Sequence, residues 1–221
     1  MTAIRIDFVS DVACPWCVIG LKALEQALAT LGNAVQAEIH FQPFELNPNM
    51  PPEGQDIAEH LTQKYGATPA QLEVTREAIR VRGEELGFIF GKGKRSRVYN
   101  TFDAHRMLHW VGLIDDQFEK QRALKHALFQ AYFTDGFNPG EHATLLRAVE
   151  EVGLDPLLAR QILESDDYAS EVREQEEHYL ARGIHSVPAV IINDRHLISG
   201  GQPAAIFEQA LRKIAQAEAT A

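Results

Sequence analysis

The chain opens on an alternating pattern. In Ile4 to Val9, Ile4, Ile6 and Phe8 fall on one side and Arg5 and Asp7 on the other, which predicts a strand. The spacing then changes from two to three and four. Leu21, Leu24, Leu28 and Leu31 recur at helical intervals, and Gly32 follows as a stop signal. Alternation returns in AEIHFQPFEL, where Ile39, Phe41 and Pro43 share a side. Strand, helix and strand at this spacing predict a βαβ unit.

Asn47 to Gly54 (NPNMPPEG) is a loop by composition. From Gln55 to Gly183 the signals are helical only. Thr68-Pro69 opens one helix and Asn100-Thr101 another, with Phe102, Met107 or Leu108, and Val111 able to share a face. A long helix is expected from Gln117 to Gly136, and three more follow. The last carries Glu171, Glu174, Glu176 and Glu177, which reads as a solvated face. Strands resume with VPAVIIN (Val187 to Asn193) and RHLISG, an expected hairpin turning at Asp194. A closing amphipathic helix should point Ile206, Leu211 and Ile214 inward. The order is βαβ, a helical block, then ββα. The expected division is one α/β domain from residues 1–54 and 184–221, with 55–183 inserted as an all-helical subdomain.

Composition adds exclusions. The hydrophobic fraction is 45% over 221 residues, enough to bury a core without metal or disulfide staples. The net charge of −10 lacks the basic footprint that nucleic acids or anionic membranes require. No run approaches the ~20 apolar residues of a membrane span. Residues 1–11 lack a basic region followed by a long apolar run, so the expectation is no secretory signal and a cytoplasmic protein. There thiols stay reduced, and a lone disulfide is usually catalytic or redox-sensing.

Both cysteines of the chain fall in SDVACPWCVIG, residues 10–20. Cys14 sits where the strand ends and the helix begins. Unpaired amides and the helix dipole stabilise a thiolate at that point. Cys17 is one turn on, and Pro15 suits a first helical turn. An exposed Cys14 of low pKa would attack and Cys17 would resolve. Two ligands do not close a structural zinc site, and His105 and His109, four apart on a helix, are more often structural than metal-binding, so no metal is expected.

With these residues in view, the chain resembles the DsbA family of oxidoreductases, and within it the cytoplasmic FrnE-like branch. The matching segments are SDVACPWCVIG, NTFDAHRMLHWV (100–111), GIHSVPAVIIN (183–193) and ISGGQP (198–203). The resemblance implies a thioredoxin fold with a large helical insertion. It implies that Val187-Pro188 is a cis pair facing Cys14, with the Val187 backbone available to bind substrate in strand fashion. An edge-strand proline is the plainer reading of Pro188. It also implies that Asn100, His105 and Arg106 line a substrate cleft, although a helix cap and a satisfied core histidine explain the same residues. Trp16, between the cysteines, is expected to tune exposure and potential. The basic run Lys92 to Arg97 is either a solvated loop or an attractor for anionic substrates.

The leading expectation is a thiol-disulfide oxidoreductase using Cys14 and Cys17. It needs no cofactor beyond the redox-active pair. Its expected partners are thiol- or disulfide-bearing proteins and peptides, with glutathione a candidate co-substrate, and the chain is a monomer or homodimer. Two alternatives stay open. The chain also resembles 2-hydroxychromene-2-carboxylate isomerases and kappa-class glutathione transferases, which typically carry serine where Cys14 stands. A non-enzymatic, chaperone-like binding module is the third.

Overall fold

A computed structural model describes residues 3–115 and 118–219. The first strand, β1 (Ala3–Ser10), leads into α1 (Pro15–Leu31) and then β2 (Gln36–Pro43), which runs parallel to β1. At the far end of the sequence, β5 (Ala189–Ile192) pairs antiparallel with β1, and β6 (His196–Ser199) pairs antiparallel with β5. The sheet order is β2-β1-β5-β6. α9 (Ala204–Ala219) returns to pack beside α1.

The central position of β1 explains its burial. Ile4, Ile6 and Phe8 are fully buried, meeting Val190 and Ile192 of β5 and side chains of α1 and α9 in one cluster. The opposite face is covered too. Val9, Ala189 and Ile191 join Tyr179 and Ile184 in a second cluster. Asp7 is therefore buried despite its polar slot in the alternation. The β5–β6 turn runs through Asn193 and Asp194, both left-handed at φ 48° and 57°. Asn and Asp tolerate that conformation better than most side chains, and the Arg195 amide closes the turn on the Ile192 carbonyl at 3.1 Å.

Between the halves stand α2 (Ile57–Tyr65), α3 (Pro69–Glu85), α4 (Phe102–Ile114), α5 (Glu119–Phe129), α6 (His142–Glu151), α7 (Pro156–Leu163) and α8 (Ala169–Ala181). α5 continues as a π-helical segment, Gln130–Asp135, which ends at Gly136 with φ 82°. Gln117, the expected start of α5, lies outside the described residues. Thr68 caps α3 through a capping box with Gln71. A separate core of α4, α5, α6 and α7 side chains, including Met107, Trp110, Leu124, Leu145 and Ile162, holds this block together.

Three expectations need correction. The stretch 55–183 is not helical throughout: β3 (Gln55–Asp56) pairs antiparallel with β4 (Arg97–Val98). Two-residue strands are too short to show alternation. In α9 the inward residues are Phe207, Leu211 and Ile214, whereas Ile206 is exposed. Spacings of four and three keep 207, 211 and 214 on one face, and 206 lies a 100° step away. Glu176 does not belong to a solvated face. It is buried and pairs with Arg173 at 2.7 Å, and Arg173 also binds Glu45. Its burial pushes the Glu176 carboxyl above the usual range.

Candidate functional site

Cys14 is the N-cap residue of α1, in extended conformation, with Pro15 at the start of the helix. The turn before it is closed by the Cys14 amide, which donates to the Asp11 carbonyl at 3.2 Å. Cys17 follows on the first helical turn, and its amide donates to the Cys14 carbonyl at 3.1 Å. Both cysteines are free thiols. The Cys14 thiol reaches the Val187 carbonyl at 3.6 Å, which joins the two ends of the chain at the site.

The two thiols differ electrostatically. The Cys17 thiol hydrogen-bonds the Cys14 sulfur and, with the Cys17 and Trp16 amides, lowers the Cys14 pKa against the opposing effect of burial. Burial pushes Cys17 in the other direction, well above an ordinary thiol, and hydrogen bonding to Cys14 adds to the rise. The expectation of an exposed Cys14 is corrected: the residue is only 4% exposed. The turn is crowded from several sides. Val187 contributes its carbonyl, and Arg95 donates to the Ala13 carbonyl at 3.4 Å.

Pro188 and the ISGGQP segment support this turn from beneath. The Val187–Pro188 peptide bond is cis. The Gly200 amide donates to the Pro188 carbonyl at 2.8 Å. Gly201 lies so close to α1 that a Cβ on it would stand 3.0 Å from the Trp16 carbonyl oxygen. Gly20, one turn beyond Cys17, faces Pro188 in the same way, and a Cβ there would meet the proline Cγ at 2.9 Å. Gly20→Ala adds about 1 kcal/mol of helix propensity but overpacks a rigid ring at about 1–3 kcal/mol. The expected outcome is a net loss of about 1 kcal/mol, the difference of those two figures, read from the midpoint of urea unfolding. A net gain would show that the proline ring yields freely.

Trp16 is half-buried, with the Arg82 guanidinium 5.8 Å above its ring. His105 is buried, its Nε2 3.7 Å from the Asp11 carboxylate. Arg106 turns to the α7–α8 connection, where it donates to the carbonyls of Ile162, Ser165 and Asp167, and to Asp103 at 2.8 Å. Asn100 accepts from the Phe102 amide at 2.9 Å, as a helix-start residue does, and lines an open cleft of about 430 Å³ with Asp103, Asn138 and His142. Of the NTFDAHR segment, His105 is the residue brought to the cysteine turn, by way of Asp11. In the basic run, Arg95 donates to the Tyr132 hydroxyl at 2.7 Å and stacks over the Tyr132 and Phe133 rings. Arg97 holds the Glu53 and Gly54 carbonyls.

Asp11 and Lys125 were missed by sequence reasoning. Asp11 accepts from the amides of Ala13 (3.0 Å) and Leu46 (2.7 Å). Burial pushes its carboxyl up, but His105 and those two amides outweigh it, so the net pKa is lowered. The signal was its place within the cysteine stretch. Lys125 is fully buried. Its only signal was a polar residue on the face that also carries Gln121 and Leu128, both buried. Among the described residues no group of three or more His, Cys, Asp or Glu side chains is placed to hold a metal ion.

The strand–turn–helix carrying two cysteines, the proline strand beside it and the helical insertion match one family model. That model, a DSBA-like thioredoxin domain, covers residues 5–212. The chain belongs to the DsbA-like thioredoxin family. The chain is 27% identical to the uncharacterized protein YwbO of Bacillus subtilis (strain 168) over 209 residues, 94% of this chain and 96% of that one. A crystal structure of a probable DsbA oxidoreductase from Streptomyces coelicolor superposes with a TM-score of 0.87 at 30% identity, covering 97% of this chain and 91% of the other. A 2-hydroxychromene-2-carboxylate isomerase shares the DsbA-like fold, with a TM-score of 0.72 at 15% identity and 98% of each chain covered. No helix among the described residues is long and apolar enough to cross a membrane.

Proposed function

We propose that the protein is a thiol-disulfide oxidoreductase in which Cys14 attacks and Cys17 resolves. The observation that carries this reading is the asymmetry of the adjacent thiols: one at a helix N-terminus with a lowered pKa, the other buried with a raised one. The thiolate is the nucleophile in disulfide exchange, so the pair divides the roles of attacker and reserve.

The Cys14 thiolate attacks a substrate disulfide, one substrate sulfur leaves as thiolate, and a mixed disulfide forms. Cys17 then displaces the second substrate sulfur and closes the internal disulfide. In reverse, the disulfide form oxidises a dithiol. The Val187 carbonyl beside Cys14 offers an acceptor to an extended peptide. Arg95 and Arg82, near the Ala13 carbonyl and Trp16, favour an anionic substrate such as glutathione or an acidic peptide. The chemistry draws on the cysteine pair alone, and a cytoplasmic setting would keep it reduced between cycles.

The test is titration in glutathione buffers of graded ratio, followed by differential alkylation and mass spectrometry. The expected result is that Cys14 and Cys17 disappear together as an internal disulfide. Independent titration of the two, with no internal disulfide at any ratio, would overturn the reading. The isomerase alternative rests on shared fold, and chromene-carboxylate turnover surviving in Cys14→Ser would be its signature.

A further inference from the structure

Beneath the cysteine turn lies a charged group that the exchange chemistry above leaves without a task. Lys125, on α5 of the helical block, is fully buried, and its Nζ has no hydrogen-bond partner among the described residues. The ammonium stands 5.1 Å from the Phe129 ring centroid and 5.9 Å from that of Phe41. Phe41, Phe129, Cys14 and Cys17 belong to one continuous apolar cluster. A lysine head placed there, short of water and of partners, lowers stability and asks for a reason.

The ionisable groups around it supply one. Cys17 and Cys14 face it from α1, and Asp11 from the β1–α1 turn, each favouring its charged form. α4 contributes His105, which stands against Asp11. The π-helical segment contributes the Tyr132 hydroxyl, already bound to Arg95. On β2 the residue turned toward Lys125 is Phe41, and His40, the next position, alternates to the other face and stacks on Phe118 at 4.1 Å between centroids. The buried residues of α6 are Thr144, Leu145, Ala148 and Val149, none of which titrates.

We propose that Lys125 is a positioning residue that acts through Cys17: its buried charge stabilises the Cys17 thiolate and so sets the rate at which a mixed disulfide on Cys14 is resolved. The inference rests on the dithiol reading above. In the mixed disulfide, Cys14 Sγ is bonded to a substrate sulfur, and the Cys17 thiol must lose its proton to solvent. The resulting thiolate attacks Cys14 Sγ. The Cys14–Cys17 bond forms and the Cys14–substrate bond breaks. Its electron pair leaves on the substrate sulfur, which takes a proton from solvent. The two cysteines are thereby oxidised and the substrate disulfide reduced, with protons and electrons balanced. The costly moment is a sulfur anion in apolar surroundings, which the Lys125 ammonium offsets. Burial draws Lys125 down to about 8, which leaves it mostly charged at neutral pH, and its charge pulls Cys17 down against the rise that burial causes. When the disulfide acts as oxidant, the same charge assists Cys17 as it departs.

The test uses the full chain and oxidised glutathione. Reduced protein is mixed with it, quenched in acid at intervals, and weighed by mass spectrometry, so that the glutathionylated species is seen to form and decay. In Lys125→Met, formation at Cys14 is expected within about twofold of wild type. Decay to the internal disulfide is expected to slow about tenfold at pH 7, one pKa unit at Cys17, and to recover the wild-type rate about one pH unit higher. A merely structural lesion would not recover with pH. Decay at the wild-type rate with an unchanged pH profile would overturn the proposal. Lys125→Arg supplies the second arm, usable also where the methionine variant fails to fold: it keeps the charge and is expected to keep the profile, and a profile shifted upward by a unit would overturn the proposal as well. Wild-type protein that never closes the internal disulfide would instead refute the dithiol reading itself.

Discussion

Cys17→Ala is expected to turn the protein from a turnover catalyst into a trap. In the intact pair, the mixed disulfide on Cys14 decays by attack from a thiol held one helical turn away. Such intramolecular attack has an effective concentration far above that of any thiol in solution, on the order of 10⁵ M when geometry is good. Without Cys17, decay waits for a second external thiol to reach a sulfur that is only 4% exposed. After incubation with oxidised glutathione, one glutathione per chain should persist on Cys14, visible by intact mass and removed by reductant. The companion variant, Cys14→Ser, leaves a fully buried thiol of raised pKa as the sole nucleophile. Its reaction with oxidised glutathione is expected to fall by at least about a hundredfold, because thiolate fraction and access are lost together. A Cys17→Ala adduct that decays as fast as the wild-type one would contradict the division of roles.

Lys125→Met is expected to stabilise the reduced protein at pH 7 by about 3 kcal/mol and to lose that advantage as pH rises. Burial draws Lys125 in the folded chain down to about 8, against 10.5 for an ordinary solvent-exposed lysine. Below pH 8 both folded and unfolded chains carry the proton, and the native state bears the full cost of a buried ammonium. Between pH 8 and 10.5 the unfolded chain binds more protons than the native one, so native stability climbs with pH. Above 10.5 both are neutral and the cost has gone. A shift of about 2.5 units at 1.36 kcal/mol each gives the magnitude. Methionine matches the length of the stem and has no charge to desolvate. Urea unfolding of both proteins from pH 6.5 to 10.5 provides the check, and a difference that stays flat across that range would refute the assignment. A residue that lowers stability at the site of chemistry is what a functional constraint looks like.

Much of the architecture was legible because it is written in short-range periodicity. The alternation of Ile4, Ile6 and Phe8, the leucine spacing of α1, and the turn at Asp194 each report a local backbone preference, and the structure shows β1, α1 and the β5–β6 hairpin at those places. The position of Cys14 at a strand end and helix start was likewise readable from the residues on either side of it. In these cases the forces that choose the conformation act within a turn or a strand.

Other features depend on elements far apart in sequence. Whether Cys14 faces solvent is settled by Val187 and Arg95, more than 80 residues away, which crowd the turn. Whether Glu176 is solvated depends on Arg173 and Glu45. Asp7 falls on the polar side of β1 by alternation, yet a sheet covered on both faces buries it. Lys125 lies on a helix whose inward face the sequence outlines. Only the packing of α5 against β2 and α1 makes that face the floor of the cysteine site. The sequence by itself determined the longer strands and helices and where the two thiols sit along them, because propensity and spacing are local. The tertiary structure alone decided that both thiols are buried, which carboxylate and lysine stand beside them, and hence how each ionises, because desolvation and Coulomb interactions depend on distance in space.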